Sequence, residues 1–410
     1  MLHGSRFVCA FRGRRDDYQM PLALCDGQLL HRLVTDFYSS KELASLARRL
    51  NVPASAKLSS RVHEDLPSRL VRQVPGVAWS EFLARKDPRE LEAVRDHNDE
   101  VLSKVAAQCA RVNRSHLFLY SPNASAAFES KYSHDPARIV FQFHPHYAAE
   151  HSMLVADDQR LGPRLSRLEN GDTAVRPHRL RSDSAWQMAD HIVCASSFTA
   201  RTLMEVGADP KRITVVGYGV GAPSEIEPSP APQTFKVLFV GSGVQRKGIH
   251  HLIEAWRRAM LPPESTLTLV TRSLDRSLID LRNLPNGVIL SAGLSQRELV
   301  EMYRNSILFC MPSLIEGFGQ VYLEALSNGL PVLGTGNTCL PDIGGEADGV
   351  FLTSPGDVDE LASELERLSL VLPGNNEIRS SAAKAATRQS WASFRESTRR
   401  VSVKVAGIGI

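Results

Sequence analysis

Two glutamates, Glu316 and Glu324, stand with seven residues between them in the stretch EGFGQVYLEALSNGLPV, residues 316–332. An apolar run, Ile307 to Met311, precedes them and reads as a strand. Gly317-Phe318-Gly319 is too rich in glycine for a helix interior. Gln320 to Asn328 then reads as a helix, stopped by Gly329 and Pro331. Glu316 is thus expected on a loop at the C-terminal end of a strand, and Glu324 inside the helix that follows. Glu324 is flanked by Leu323, Ala325 and Leu326, and a carboxylate in that setting is costly without a hydrogen-bond partner. A ribose diol is one such partner. The two glycines allow backbone N–H groups to approach a ligand, and a helix N-terminus behind them favours a phosphate. The plainer alternative is a helix acid and an unrelated surface acid.

A second group of residues could act with the first. Val237 to Val240 form a continuous apolar run, as central parallel strands do. Ile249, Leu252, Ile253 and Trp256 follow at helical spacing. Between strand and helix lie Gly241, Gly243, Arg246, Lys247 and Gly248. Two cations on a flexible turn at a strand's C-terminal end suit a pyrophosphate, whose charge they would neutralise as it leaves. A basic surface turn is the alternative. The turn is neither a Walker A loop, since no Lys-Ser or Lys-Thr closes it, nor GxGxxG.

Taken together, EGFGQVYLEALSNGLPV and the Arg246-Lys247-Gly248 turn resemble the donor-site signature and phosphate loop of the retaining GT-B glycosyltransferases of family GT4. Residues 182–221 resemble the segment that closes that family's N-terminal domain, and residues 349–368 its C-terminal part. The resemblance implies an α/β GT-B fold, two Rossmann-like parallel-sheet domains facing across a cleft. Residues 1–221 would form the acceptor-side domain and 235–390 the nucleotide-sugar-binding domain. Residues 391–410 would be a helix crossing back to the first domain. It further implies a nucleotide-sugar donor, with Glu316 on the sugar hydroxyls and Glu324 on the ribose. The amides of Gly317, Phe318 and Gly319 would meet sugar and phosphate, Lys247 the diphosphate and Leu294 the nucleobase. His144, after the apolar run Ile139–Phe143, matches the family's active-site histidine. The implied catalytic set is His144, Glu316 and Lys247. The family's arginine after the preceding strand's glycine is replaced here by Ser242, so Arg246 is expected to carry the second charge.

The implied chemistry is front-face transfer with retention, without an enzyme nucleophile. It would rest on holding donor and acceptor together and stabilising the departing diphosphate. No metal or other cofactor is expected: His144 and His146 alone do not make a site. The acceptor is left open as a glycan, a lipid-linked molecule or a small molecule. Two other readings remain, a non-catalytic nucleotide-sugar-binding subunit and a GT-B enzyme that cleaves or epimerises its nucleotide sugar. Arg12, Arg14 and Arg15 stand where many members have a glycine-rich loop, and could hold an anionic acceptor or simply be solvated.

These residues need a scaffold, and the pattern supplies one. Strand candidates at Phe7–Phe11, Leu33–Phe37, Leu117–Tyr120, Ile139–Phe143, His191–Ala195 and Ile213–Val216 alternate with helices, including a long one over Pro88–Val112. Residues 222–234 are rich in proline and read as the interdomain linker. Gly217 to Gly221 imitates a dinucleotide loop, but Pro223 and the linker follow instead of a helix. Asp357-Val358-Asp359 precedes a helical pattern and is expected to cap it.

Four hundred and ten residues are enough for two or three domains. A net charge of +3 argues against a nucleic-acid partner. Arginines and one histidine crowd residues 160–181, as a solvated face or a contact with anionic lipid. None of the six cysteines stands in a Cys-x-x-Cys pair, and Cys9, Cys194 and Cys310 fall in apolar strands, which suits a reducing compartment. With neither a signal-peptide pattern nor an eighteen-residue apolar run, the expected location is cytoplasmic, with peripheral membrane contact left open.

Overall fold

The computed structural model describes residues 6–40, 45–46, 49–50, 58–161, 181, 183–221 and 232–407. Most of the basic segment 160–181 and of the linker 222–234 lies outside the described residues.

The strands form two sheets. The first contains β1 (Phe7–Ala10), β2 (Leu30–Thr35), β3 (Val71–Gln73), β4 (His116–Tyr120), β5 (Arg138–Gln142), β6 (His191–Cys194) and β7 (Ile213–Val215), in the order β3-β2-β1-β4-β5-β6-β7. The second contains β8 (Lys236–Val240), β9 (Thr266–Val270), β10 (Val288–Ser291), β11 (Leu308–Cys310), β12 (Val332–Thr335) and β13 (Val350–Thr353), in the order β10-β9-β8-β11-β12-β13. Every pairing is parallel. Parallel strands need helical crossovers, and helices cover both faces. The central strands β1, β6 and β12 are accordingly buried along their whole length.

Among helices of eight residues or more, α1 is Gln19–Asp26, α2 Pro75–Leu83, α3 Pro88–Asn113, α4 Tyr147–Leu161, α5 Ser197–Glu205 and α6 Ile249–Arg258. They are followed by α7 (Gln296–Asn305), α8 (Gln320–Ser327), α9 (Val358–Val371), α10 (Asn376–Arg388) and α11 (Trp391–Val405). The α6 face expected to be buried, Ile249, Leu252, Ile253 and Trp256, is buried. Asp357 caps α9 by accepting from the Glu360 amide. No helix among the described residues is long and apolar enough to cross a membrane.

Each sheet reverses strand order once, at β1/β4 in the first and at β8/β11 in the second. Such a reversal opens a crevice beyond the carboxyl ends of the strands, where ligands bind in open α/β sheets. The Arg246-Lys247 turn follows β8 and Glu316 follows β11, so both stand at the second sheet's crevice.

The two bodies touch through specific contacts. The Gly317 carbonyl accepts from Ser196 Oγ at 2.6 Å and Thr199 Oγ1 at 3.2 Å. The Ser197 amide donates to Asp342 Oδ2 at 2.7 Å. α11 returns to the first body, where Arg395 Nε donates to Gln19 Oε1 of α1 at 2.7 Å. Phe394 packs edge-on to Phe141, ring centres 6.0 Å apart. Asp157 of α4 accepts from Gln245 Nε2 at 2.9 Å and lies 3.1 Å from His250 Nε2 and 2.7 Å from His251 Nε2. Asp157 and both histidines are buried.

Burial would raise the Asp157 pKa, but hydrogen bonds from His250 and His251 hold it well below the usual carboxylate range. Its stabilisation is therefore complete above the unfolded carboxyl value of about 4 and fades as pH falls below it. Asp157→Ala removes the shared acceptor beside His250, His251 and Gln245 and should lower unfolding free energy by about 3 kcal/mol. It should also weaken the loss of stability below pH ~4. Urea titrations at neutral and acid pH read both effects, and superimposable curves for the two proteins would remove Asp157 from the stabilising contacts.

Candidate active site

The turn after β8 is fixed from both sides. The Gly243 amide donates to the Ser273 carbonyl at 2.7 Å. A short 3-10 turn, Gln245–Lys247, then ends at Gly248, whose φ of +67° is left-handed. A Cβ at Gly248 would overlap the carbonyl oxygen of Pro312, on the segment after β11. The Leu314 amide donates to the Arg246 carbonyl at 2.9 Å, joining the two loops by their backbones. Glycine is needed here both for its φ and for the close approach.

This approach brings three predicted residues to one point. Arg246 Nη1 lies 2.8 Å from Glu316 Oε2, and Lys247 Nζ bonds the same oxygen. Glu316 is buried, and its backbone amide donates to the Asn337 carbonyl at 3.0 Å. Burial alone would raise its pKa, but Lys247 first, then Arg246 and His144, bring it down to about 2. His144 itself is exposed, its ring 4.1 Å from that of Phe143.

Glu324 occupies a different environment. It is half-buried on α8 and accepts from Tyr303 Oη at 3.2 Å. Burial raises its pKa, and the tyrosine bond only partly opposes this. Tyr303, on α7, was not singled out from the sequence, where nothing marks its pairing with Glu324. Leu294, on the loop between β10 and α7, is half-buried and packs against the core.

Gly317 sits at the seam between the bodies. A Cβ there would overlap the Phe143 carbonyl oxygen, so the loop bearing His144 lies directly against it. Phe318 is buried edge-on to Tyr218, with ring centres 5.3 Å apart. Gly319 caps α8 with φ +84°, and no acidic residue occupies the first turn of that helix. The positive end of α8 therefore carries no side-chain anion of its own.

The arginines of the loop after β1 have three different surroundings. Arg12 is tied to Asp99 by two bonds of 2.7 and 3.1 Å and to Glu81 by one of 2.9 Å. Arg14 is exposed and pairs with Asp17. Arg15 stacks on Phe143, its guanidinium 4.2 Å from the ring centre. Asp16, Asp17 and Tyr18 are all left-handed, with φ of 45°, 50° and 62°. Tyr120 Oη donates to Asp16 Oδ2 at 2.6 Å, and burial raises the Asp16 pKa.

Among the described residues, Asp157, His250 and His251 are the group whose donor atoms lie close enough together to hold a metal ion. This group lies on α4 and α6, apart from Glu316, and Gln245 also bonds its carboxylate.

The two glutamates should respond oppositely to loss of charge. Glu316→Gln leaves two cations facing a neutral amide and should cost about 3 kcal/mol at pH 7. The Glu316 contribution is complete above the unfolded glutamate value of about 4.3 and lost as pH falls toward the folded value of about 2. Glu324, with its pKa raised, loses stability on ionising as pH rises, so Glu324→Gln should leave the melting temperature unchanged or higher. Equal destabilisation by both substitutions would contradict these environments.

Residues 224–387 match the family model of glycosyl transferases group 1. An MMP alpha-(1->4)-mannosyltransferase of Mycolicibacterium hassiacum is 29% identical over 190 residues, 45% of this chain and 46% of that one. The sulfoquinovosyl transferase SQD2 of Arabidopsis thaliana is 34% identical over 143 residues, 33% of this chain and 27% of that one. The alignments span about half the length of the first of these curated relatives and less of the second. The structure of HepE of Anabaena in complex with UDP and glucose superposes with a TM-score of 0.59 at 15% identity, covering 97% of this chain and 99% of that one. WaaG, a glycosyltransferase involved in lipopolysaccharide biosynthesis, gives 0.61 at 16% identity, covering 96% and 98%. With two parallel Rossmann-like sheets, the chain has the GT-B fold, and its residues 224–387 are similar to the glycosyl transferases group 1.

Proposed function

We propose that this protein is a retaining glycosyltransferase that moves a hexosyl group from a nucleoside-diphosphate sugar to an acceptor hydroxyl without a metal. The observation that carries the reading is the convergence of Arg246 and Lys247 on Glu316 at the second sheet's crevice. Two cations held beside one buried carboxylate form a site into which a diphosphate can enter as an alternative anion. In that exchange the donor's diphosphate takes over Lys247 and Arg246. Glu316 is then left to accept hydrogen bonds from the sugar. The N-terminus of α8, with no acid in its first turn, adds to the positive field that attracts the anion. Glu324, with Tyr303 beside it, is the candidate for the ribose diol.

Transfer then breaks the bond between the anomeric carbon and the phosphate oxygen and forms one to the acceptor oxygen on the same face. The acceptor's proton passes to the departing phosphate. Lys247 and Arg246 offset the charge that develops there, which is the work a metal does in other transferases. His144, on the opposite body and close enough to affect Glu316, is the candidate for positioning the transferred sugar. The mannosyltransferase among the relatives makes a nucleotide-activated mannose the first donor to test.

Lys247→Ala and Glu324→Ala should each reduce turnover at least about 100-fold while the protein stays folded by circular dichroism. Normal turnover by both variants would overturn the reading. Activity should persist in a metal chelator. A nucleoside diphosphate should raise the wild-type melting temperature, since it binds the native state. A shift without turnover of any nucleotide sugar would instead assign the protein as a non-catalytic binding subunit.

A further inference from the structure

The first sheet carries a second opening. A pocket of about 600 Å3 lies at the C-terminal ends of β1 and β2, under α2. Arg12, Arg61, Arg85 and Arg95 line it, against the acids Asp36 and Glu81. Two of these arginines are held inside the protein: Arg12 by Asp99 and Glu81, and Arg61 by Asp36. The other two are presented outward. Arg95 is exposed and only 3.8 Å from Glu81, an acid it shares with Arg12. Arg85 is exposed and stacks on Phe82 at 5.5 Å, and among the described residues no acid pairs with it. The pocket thus has surplus positive charge at its mouth.

That mouth is also apolar on one side. On α2, Trp79 is 63% exposed, Phe82 53% and Leu83 61%. Trp79 and Phe82 stack, ring centres 5.7 Å apart. Large apolar side chains exposed together beside the outward-facing cations Arg85 and Arg95 are the surface that an anionic amphiphile complements. The pocket also leads toward the cleft. Arg12 and Gly13 line it, and Arg15, three residues after Arg12, stacks on Phe143 next to His144. Arg12 and Arg15 are therefore at most about 10 Å apart along the backbone.

We infer that this pocket holds the acceptor, and that the acceptor is a lipid-linked molecule with a phosphate-type head. The head lies between Arg85 and Arg95. The hydrocarbon passes over Trp79, Phe82 and Leu83. The hydroxyl to be glycosylated extends past Arg15 toward His144. This rests on reading the cleft as a site of glycosyl transfer.

The test uses the full chain and octyl phosphate below its micellar concentration, with inorganic phosphate and octyl glucoside as comparisons, all by calorimetric titration. Octyl phosphate should bind at least about tenfold tighter than either comparison, because both charge and chain contribute. Arg85→Ala with Arg95→Ala should weaken it about tenfold, and Trp79→Ser with Phe82→Ser should do likewise. Equal binding by wild type and both double variants would overturn the proposal. So would inorganic phosphate binding as tightly as octyl phosphate, which would mark a site for a water-soluble phosphate ester. The melting-temperature shift with a nucleoside diphosphate is measured on the same proteins and should be unchanged by these substitutions. Its absence in wild type would overturn the transferase reading, whatever the octyl phosphate titration shows.

Discussion

The closeness of two loops governs the whole cleft. β8 and β11 are adjacent and parallel, so their C-terminal ends emerge side by side. Gly248 lets the first loop lie against the Pro312 carbonyl, and the Leu314 amide binds the first loop's backbone. Only then do Arg246 and Lys247 reach one carboxylate oxygen of Glu316. A buried carboxylate without them would be neutral and two neighbouring cations without it would repel, so each member stabilises the charge of the others. The resulting site is organised around charge, with its geometry set by backbone rather than by flexible side chains.

The same glycine logic joins the bodies. Gly317 follows Glu316 directly, and its lack of a side chain allows the Phe143 carbonyl to lie against it. Its own carbonyl is held by Ser196 and Thr199 of the first body. Glu316 is thereby tied through one peptide to the loop that carries His144. Residues of the two bodies share a backbone junction, so the spacing of Glu316 and His144 does not depend on the outer surfaces of the two bodies.

Much of this arrangement was legible in the sequence, and the reasons differ from element to element. β8 and β11 carry continuous apolar runs because both are central strands, covered on both faces. β3, at an edge, reads Val71-Arg72-Gln73 with Arg72 and Gln73 exposed, so it carried no apolar run to find. Arg246, Lys247 and Glu316 were identifiable by their places at strand ends. Their mutual neutralisation was not, since it depends on how two loops 69 and 70 residues apart meet. Arg12 was visible as a cation, but its partner Asp99 lies 87 residues on, in α3. The Asp157 contacts cross 93 and 94 residues for the same reason.

The chain passes between the bodies near Val220 and again near Ser390, and these two passages run alongside each other. The Val220 amide bonds the Gln389 carbonyl at 2.9 Å, and Val220 bridges to Ser390 in parallel fashion. Gly219 packs so tightly against the Ser390–Trp391 peptide that no side chain would fit. Two strands of one chain, fastened together, act as a single pivot rather than two independent tethers. Fastened passages leave the bodies fewer independent joints than two free tethers would. Asp157, reaching over from α4 to α6, the Ser196 and Thr199 bonds to Gly317 and the Ser197 bond to Asp342 add further ties, so the arrangement of the two bodies is fixed by the chain crossing and by several polar contacts together.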